Sequence, residues 1–185
     1  NFLEVSTADG SRFEMRVAGL TATTVTLDGN HPLAGKVLHF GVSNFTPGQF
    51  ELLNSYVDEK LVTNQVEISP YCLEHFENGN IDFFLKEKIK PMAWSPIAGG
   101  RLLNPHDNRG PGILRTLLQV GEELQVSPVD KVIYAWLLKH PVQMLPVVGS
   151  GKIERIRDAA EALNIDMSLE QWYKIYIAVK GKELP

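Results

Sequence analysis

From Val37 to Gly181 short apolar runs alternate with amphipathic stretches, and this alternation restricts the fold more than any single residue does. The runs "VLHFGVSNF", "LVTNQVEIS", "KPMAWSPI" and "QMLPVVGS" read as strands. Between them, "TPGQFELLNSYVDEK" has Thr46 as an N-cap and Pro47 at the first helical position, and "LEHFENGNIDFFLKEKI" reads as a helix interrupted at Gly79. "ILRTLLQVGEELQV" and "SPVDKVIYAWLLKHP" follow as helices, the second with Ser127 capping and Pro128 starting it. The segments "KIERIRDAAEALN" and "SLEQWYKIYIAVKG" close the series, the last ending at Gly181. Strands apolar on both faces, each followed by a helix, belong to parallel sheets covered by helices, either doubly wound or barrel-like. A closed eight-stranded barrel takes about 250 residues. The fold class expected is therefore α/β, with four parallel βα units and a C-terminal helix amounting to half of a (β/α)8 barrel.

The first 36 residues follow a different pattern. In "RFEMRV", Phe13, Met15 and Val17 alternate with Arg12, Glu14 and Arg16. "FLEVST" precedes this run across the turn "ADGS", and "TTVTLDG" follows with Val25 and Leu27 on one face. Asp28, Gly29 and Asn30 are turn formers. This is a small antiparallel hairpin or meander, so the expected organisation is residues 1–36 as a β-segment and residues 37–185 as the βα part.

Composition narrows the function classes. With 44% hydrophobic and 22% charged residues the chain is ordinary globular protein, and a net charge of -4 offers no general attraction to nucleic acid. No apolar run approaches a membrane span, and the start lacks signal-peptide features, so a cytoplasmic protein is expected. Cys72 stands alone, which excludes an internal disulfide, and no metal site is expected.

In parallel α/β proteins ligands bind at the carboxyl ends of the strands. There the sequence places Ser43 and Asn44 after the first strand, Gln65 and Glu67 on one side of the second, and Trp94 and Ser95 at the end of the third. The fourth strand runs through Gly149, Ser150 and Gly151 into a helix carrying Lys152 and Arg155. Small residues, free N–H groups at a helix start and two cations together make a phosphate site. Each feature alone has a structural reading: a buried Trp, amides satisfying backbone groups, a solvated carboxylate, a glycine turn. The ordered set of amides on two strands, an aromatic ring on the third and an anion site on the fourth is what weighs against those structural readings.

The motifs "GKVLHFGVSNF", "NQVEISP", "MAWSPIAGGRL" and "LPVVGSGKIERI" resemble, in order and spacing, the last four strands of the aldo-keto reductase family. The resemblance implies that Ser43, Asn44 and Gln65 hold a nicotinamide carboxamide and that Trp94 stacks on its ring. It implies that Ser95 to Leu102 cover the pyrophosphate. Gly149, Ser150, Gly151, Lys152 and Arg155 would then bind an adenosine 2′-phosphate, with Asp158 near the adenine, so that NADP is favoured over NAD. The family's reaction, hydride transfer to a carbonyl, uses Asp, Tyr, Lys and His from the second, third and fourth barrel strands, which have no counterpart here. Tyr56, Tyr71, Tyr134, Tyr173 and Tyr176 do not match the catalytic position, nor do His31 and His39. The catalytic residues are unknown, and the expectation is an NADP(H)-binding oxidoreductase relative, catalytically incomplete, with a small carbonyl compound as its substrate class.

Residues 2–36, through "VTLDGNHPLAGK", resemble part of an FKBP-type peptidyl-prolyl isomerase of the SlyD-like group, which suggests a chimera joined near Lys36. Two other readings stand beside the oxidoreductase. One is a binding or chaperone-like module using the β-segment, and the other is a new hydrolytic activity using Glu67 with a second acid. Exposed strand edges at "VLHFGV" and "QMLPVV" invite pairing, so a homodimer is expected.

Overall fold

The computed structural model describes residues 2–6, 12–28 and 36–182. The chain divides into two compact units, Asn1–Leu38 and His39–Pro185.

The first unit is a three-stranded antiparallel meander of β1 (Phe2–Ser6), β2 (Arg12–Leu20) and β3 (Val25–Asp28), in that order. The period-2 pattern sets its register. Arg12, Glu14 and Arg16 are exposed, whereas Met15 and Val17 are half-buried. A bulge between Val17 and Gly19 shifts the pairing of β2 with β3, and Thr21 closes their turn by accepting from the Thr24 amide at 2.9 Å. The expected turn at Gly29 and Asn30 lies outside the described residues, and so does His31.

The second unit is an α/β structure around a four-stranded parallel sheet ordered β4 (Phe40–Ser43), β5 (Leu61–Glu67), β6 (Met92–Trp94) and β7 (Leu145–Pro146). Helix α1 (Pro47–Asn54) joins the first two strands. Its capping box is formed by Thr46 and Gln49, with Pro47 in the first turn as expected. The break at Gly79 is real. It divides α2 (Glu74–Glu77) from α3 (Asn80–Glu87), and Gly79 takes φ +84°, which a residue without a Cβ adopts freely. Helix α4 (Gly110–Leu124) and α5 (Val129–Lys139) connect β6 to β7, and α6 (Ile153–Glu161) and α7 (Leu169–Lys180) follow. Ser168 and Gln171 form a second capping box, and Gly181 ends α7 at φ +70°. One boundary differs from expectation: α5 starts at Val129 with Pro128 as its N-cap, after a cis Ser127–Pro128 peptide, and Ser127 supplies no side-chain cap.

The strands are not apolar on both faces. In β5, Asn64 and Val66 are buried toward the helices, whereas Thr63, Gln65 and Glu67 are only half-buried. Ala93 of β6 is buried in the same layer as Val66, its register partner. One face of the sheet therefore builds the core, and the other presents Thr63, Gln65, Glu67, Met92 and Trp94. Among the described residues nothing pairs with the outer sides of β4 and β7.

The core is anchored where α5 meets α7. The Trp136 and Trp172 rings are stacked at 5.1 Å and 9°. Each indole N–H donates to the other residue's carbonyl oxygen, at 3.1 and 2.9 Å. Tyr176 stacks on Trp172 at 5.3 Å, and Phe76 meets Trp136, Trp172, Tyr176 and His140. No helix among the described residues is long and apolar enough to cross a membrane.

Candidate functional site

The ends of β4, β5 and β6 bring Ser43, Asn44, Gln65 and Trp94 together. Asn44 sits at φ +57°, a conformation that asparagine tolerates better than most residues. Its N–H donates to the Gln65 carbonyl at 2.9 Å, and the Ser43 hydroxyl donates to the same oxygen at 3.0 Å. Beneath this turn, Asn64 is 1% exposed and bonds the Phe45 backbone twice: its amide donates to the carbonyl at 2.7 Å and its oxygen accepts the N–H at 3.3 Å. Asn64 is thus a structural member that sequence reasoning missed. Its signal was a polar residue at the inward position of a strand, next to Gln65.

Trp94 is tied to the first strand end, since its indole N–H donates to Asn44 Oδ1 at 3.0 Å. The ring is half-buried on the open face of the sheet. With its oxygen occupied, Asn44 keeps its amide protons. The side-chain amide of Gln65 has no hydrogen-bond partner among the described residues and is half-buried. Two amides and an indole at adjacent strand ends thus offer hydrogen-bond donors beside a flat ring on the open face of the sheet. Glu67 lies two residues along from Gln65, with its carboxylate 3.8 Å from the Arg101 guanidinium.

A cavity of about 420 Å³ opens beside this group. Ser95, Gly149, Ser150 and Arg155 line it, together with Asp130 and Tyr134, which sequence reasoning missed. Asp130 gave no signal because a carboxylate in a first helical turn is ordinary. It is 7% exposed, and Arg155 Nε approaches it at 3.9 Å. Burial and the Asp130 carboxylate push the Tyr134 phenol above its ordinary pKa, so it remains a neutral donor. Gly151 and Lys152 lie just outside this lining and are exposed, Lys152 as the N-cap of α6 with its amide donating to Ser150 Oγ at 3.2 Å. Among the described residues no side chain caps α6, which leaves its first N–H groups to a ligand or to water. A Cβ at Gly149 or Gly151 would meet nothing within 4 Å, so the approach to that helix start is open. Asp158 is turned away: it pairs with Lys131 at 3.2 Å and is not part of the cavity wall.

The model of the Aldo/keto reductase family matches residues 30–180. The chain belongs to the aldo/keto reductase family. Its oxidoreductase YdhF relative from Escherichia coli (strain K12) is 47% identical over 152 residues, which cover 82% of this chain and 50% of YdhF. A 6-dehydroglucose reductase from Novosphingobium aromaticivorans is 41% identical over 152 residues, again 82% of this chain and 50% of the relative. Among solved structures, the thermostable aldo-keto reductase Tm1743 in complex with the inhibitor epalrestat superposes with a TM-score of 0.66 at 23% identity, over 76% of this chain and 48% of that one. That likeness shows the shared fold alone. The chain spans about half the length of the curated relatives it matches. The family match starts at residue 30, ahead of the junction expected near Lys36. These relatives are reductases or oxidoreductases and lend nothing to the isomerase resemblance of residues 2–36.

Proposed function

We propose that residues 37–185 are the NADP(H)-binding side of an aldo-keto-reductase-like oxidoreductase, built as half of a parallel barrel, with residues 1–36 an appended β-segment. The observation that carries this reading is the unspent amide of Gln65 beside the amide protons of Asn44, at the strand ends where Trp94 presents its ring. Asn44 and Gln65 would hold the nicotinamide carboxamide, Ser43 holds their turn in place, and Trp94 orients the ring. Ser95 and the residues after it would cover the pyrophosphate. Gly149, Ser150 and Gly151 would admit the adenosine phosphate to the start of α6, where Lys152 and Arg155 supply charge. The donor set fits the group: the helix start is uncapped and sterically open, and its neighbouring cavity is lined by polar residues and glycines among others. When bound, a nicotinamide cofactor supplies the hydride for reducing a carbonyl. This chain's residues bind and orient it, whereas the Asp, Tyr, Lys and His set that the resemblance implies has no counterpart among them. The chain alone is accordingly proposed to be catalytically incomplete, cytoplasmic, and directed toward a small carbonyl substrate.

The outer sides of β4 and β7, which pair with nothing among the described residues, support pairing of two copies, and a dimeric mass in solution is expected; a monomer would exclude it. The hydrolytic reading gains nothing, because the described partner of Glu67 is a cation. The relatives likewise lend no support to the binding or chaperone reading of the β-segment. Lys152→Ala tests the cofactor reading. It should weaken NADP binding about tenfold while leaving NAD binding within about twofold, and equal losses for both would contradict the phosphate assignment.

A further inference from the structure

The segment from Ser95 to Gly110, proposed above to begin the cover over the cofactor, has an unfavourable backbone. Ser95 and Ala98 take φ of +50° and +53°, Gly99 and Gly100 +63° and +90°. Non-glycine residues hold such angles only when their surroundings impose them. Arg101, whose Nε bonds the Ala98 carbonyl, links this strained stretch to Tyr71, which lies on a separate element.

Tyr71 follows β5 in a tight turn. Ser69 and Cys72 exchange backbone bonds at 3.4 and 3.1 Å, and the fully buried Ser69 hydroxyl accepts the Cys72 N–H at 3.2 Å. The phenol presented by this turn touches the stretch Arg101–Arg109 at both of its ends. At one end, the Arg101 guanidinium carbon lies 4.8 Å from the ring centroid, while Arg101 Nε donates to the Ala98 carbonyl at 3.0 Å. At the other, the Arg109 guanidinium carbon lies 5.1 Å from the same centroid, and Arg109 also donates to the Val179 carbonyl at 3.2 Å. Between them, the Tyr71 hydroxyl donates to Asp107, whose other oxygen accepts the amides of Arg109 and Gly110 at 3.0 and 2.8 Å. Two cations on one ring repel each other. Glu67 beside Arg101, and the Asp107 carboxylate at the hydroxyl of the same phenol, offset that repulsion.

We propose that Tyr71 is a positioning residue for cofactor retention: its ring and hydroxyl clamp the Ser95–Gly110 segment at Arg101, Asp107 and Arg109, so that the segment is set before a nucleotide arrives and leaves slowly once one is bound. The clamp rests on the NADP(H) reading for its purpose but not for its existence, and the test separates the two.

Limited trypsin digestion of the intact chain, followed by mass spectrometry, reads cleavage of the Arg109–Gly110 bond without any cofactor. Tyr71→Leu should raise that cleavage about tenfold. Tyr71→Phe, which keeps the ring under both guanidiniums, should restore most of the protection and leave a rise of about threefold. Arg101→Gln changes an exposed side chain and leaves the 109–110 bond scissile, so it serves if Tyr71→Leu fails to fold. It should raise cleavage about threefold. In stopped-flow fluorescence, Tyr71→Leu should speed NADPH release about tenfold while the association rate stays within about twofold, and Tyr71→Phe should reverse most of that change. Parent-like cleavage in both Tyr71→Leu and Arg101→Gln would overturn the clamp. Raised cleavage with unchanged NADPH release would overturn its role in retention. Raised cleavage in a chain that binds no NADPH would refute the cofactor reading and leave the clamp standing.

Discussion

Replacing Trp136 with Phe tests whether the α5–α7 contact is the structural anchor of the βα unit. Trp136 is fully buried, and its indole makes two kinds of contact with Trp172: the stacked rings and the bond from Nε1 to the Trp172 carbonyl at 3.1 Å. Loss of the hydrogen bond costs about 1 kcal/mol. The smaller ring leaves a void of about 40 Å³, another ~1 kcal/mol at the cost per unit of cavity volume. Reduced ring overlap adds about 0.5 kcal/mol. The sum, about 2.5 kcal/mol, should lower the urea midpoint by roughly 1 M at an ordinary denaturant slope. Far-UV circular dichroism is the suitable probe, because the substitution alters the tryptophan signal itself. Trp172 makes the reciprocal bond to the Trp136 carbonyl. The two bonds go to backbone carbonyls that persist in the variants, so a double-mutant cycle with Trp172→Phe should return only the stacking coupling, about 0.5–1 kcal/mol. A loss below about 0.5 kcal/mol for Trp136→Phe, or strictly additive losses, would refute the reasoning.

Gly41→Ala should destabilise by about 1–3 kcal/mol in the same urea assay, because an added Cβ would stand 2.5 Å from Thr63 Cγ2 and 2.9 Å from the Thr63 carbonyl oxygen, and Thr63 is fixed by its bond to the Lys90 carbonyl; a neutral result would mean that β4 and β5 separate easily. Stability should also fall as pH drops below the ordinary imidazole range. Burial holds His75 and His140 below their usual pKa, and each Nδ1 accepts a hydrogen bond, from Asn80 and from the Val142 N–H respectively. The unfolded chain thus takes up protons near pH 6.5 that the folded chain refuses, so this contribution is complete above that pH and lost toward the lower folded values. Urea midpoints at pH 7.5 and 5.5 measure the slope, and replacing both histidines with Gln should flatten it; an unchanged slope would contradict the assignment.

Local chemistry made much of the βα unit readable. Thr46, Pro47, Gly79 and Gly181 act through caps and permitted backbone angles, which depend on a few neighbouring residues, and the structure places each where the sequence did. Strand lengths were less legible because they depend on partners. "QMLPVVGS" reads as a strand, yet only Leu145 and Pro146 form a ladder. β7 has a described neighbour on one side alone, and Pro146 has no N–H to give. Val37 and Leu38 likewise stay outside β4, at 82% and 48% exposure. The open face of the sheet was also misjudged, since the alternation Asn64, Gln65, Val66, Glu67 in β5 was masked by apolar neighbours. At the candidate site, the residues at the strand ends were readable because ligand position follows from sheet topology. Asp130 and Tyr134 were not, because they reach the cavity from the middle of a helical stretch whose rotation only packing decides. Tyr71 was set aside for failing one role, and only its distances to Arg101 and Arg109 revealed another.

The most direct measurement is a fluorescence titration with NADPH on the parent chain and on Trp94→Phe. Trp136 and Trp172 are enclosed in the aromatic core, whereas Trp94 is half-buried on the open face at the strand ends. The expected result is a saturable quench in the parent that is largely lost in Trp94→Phe while calorimetry still detects binding. No saturable signal in the parent at millimolar NADPH, by either method, would contradict the assignment of these strand ends to a nicotinamide cofactor.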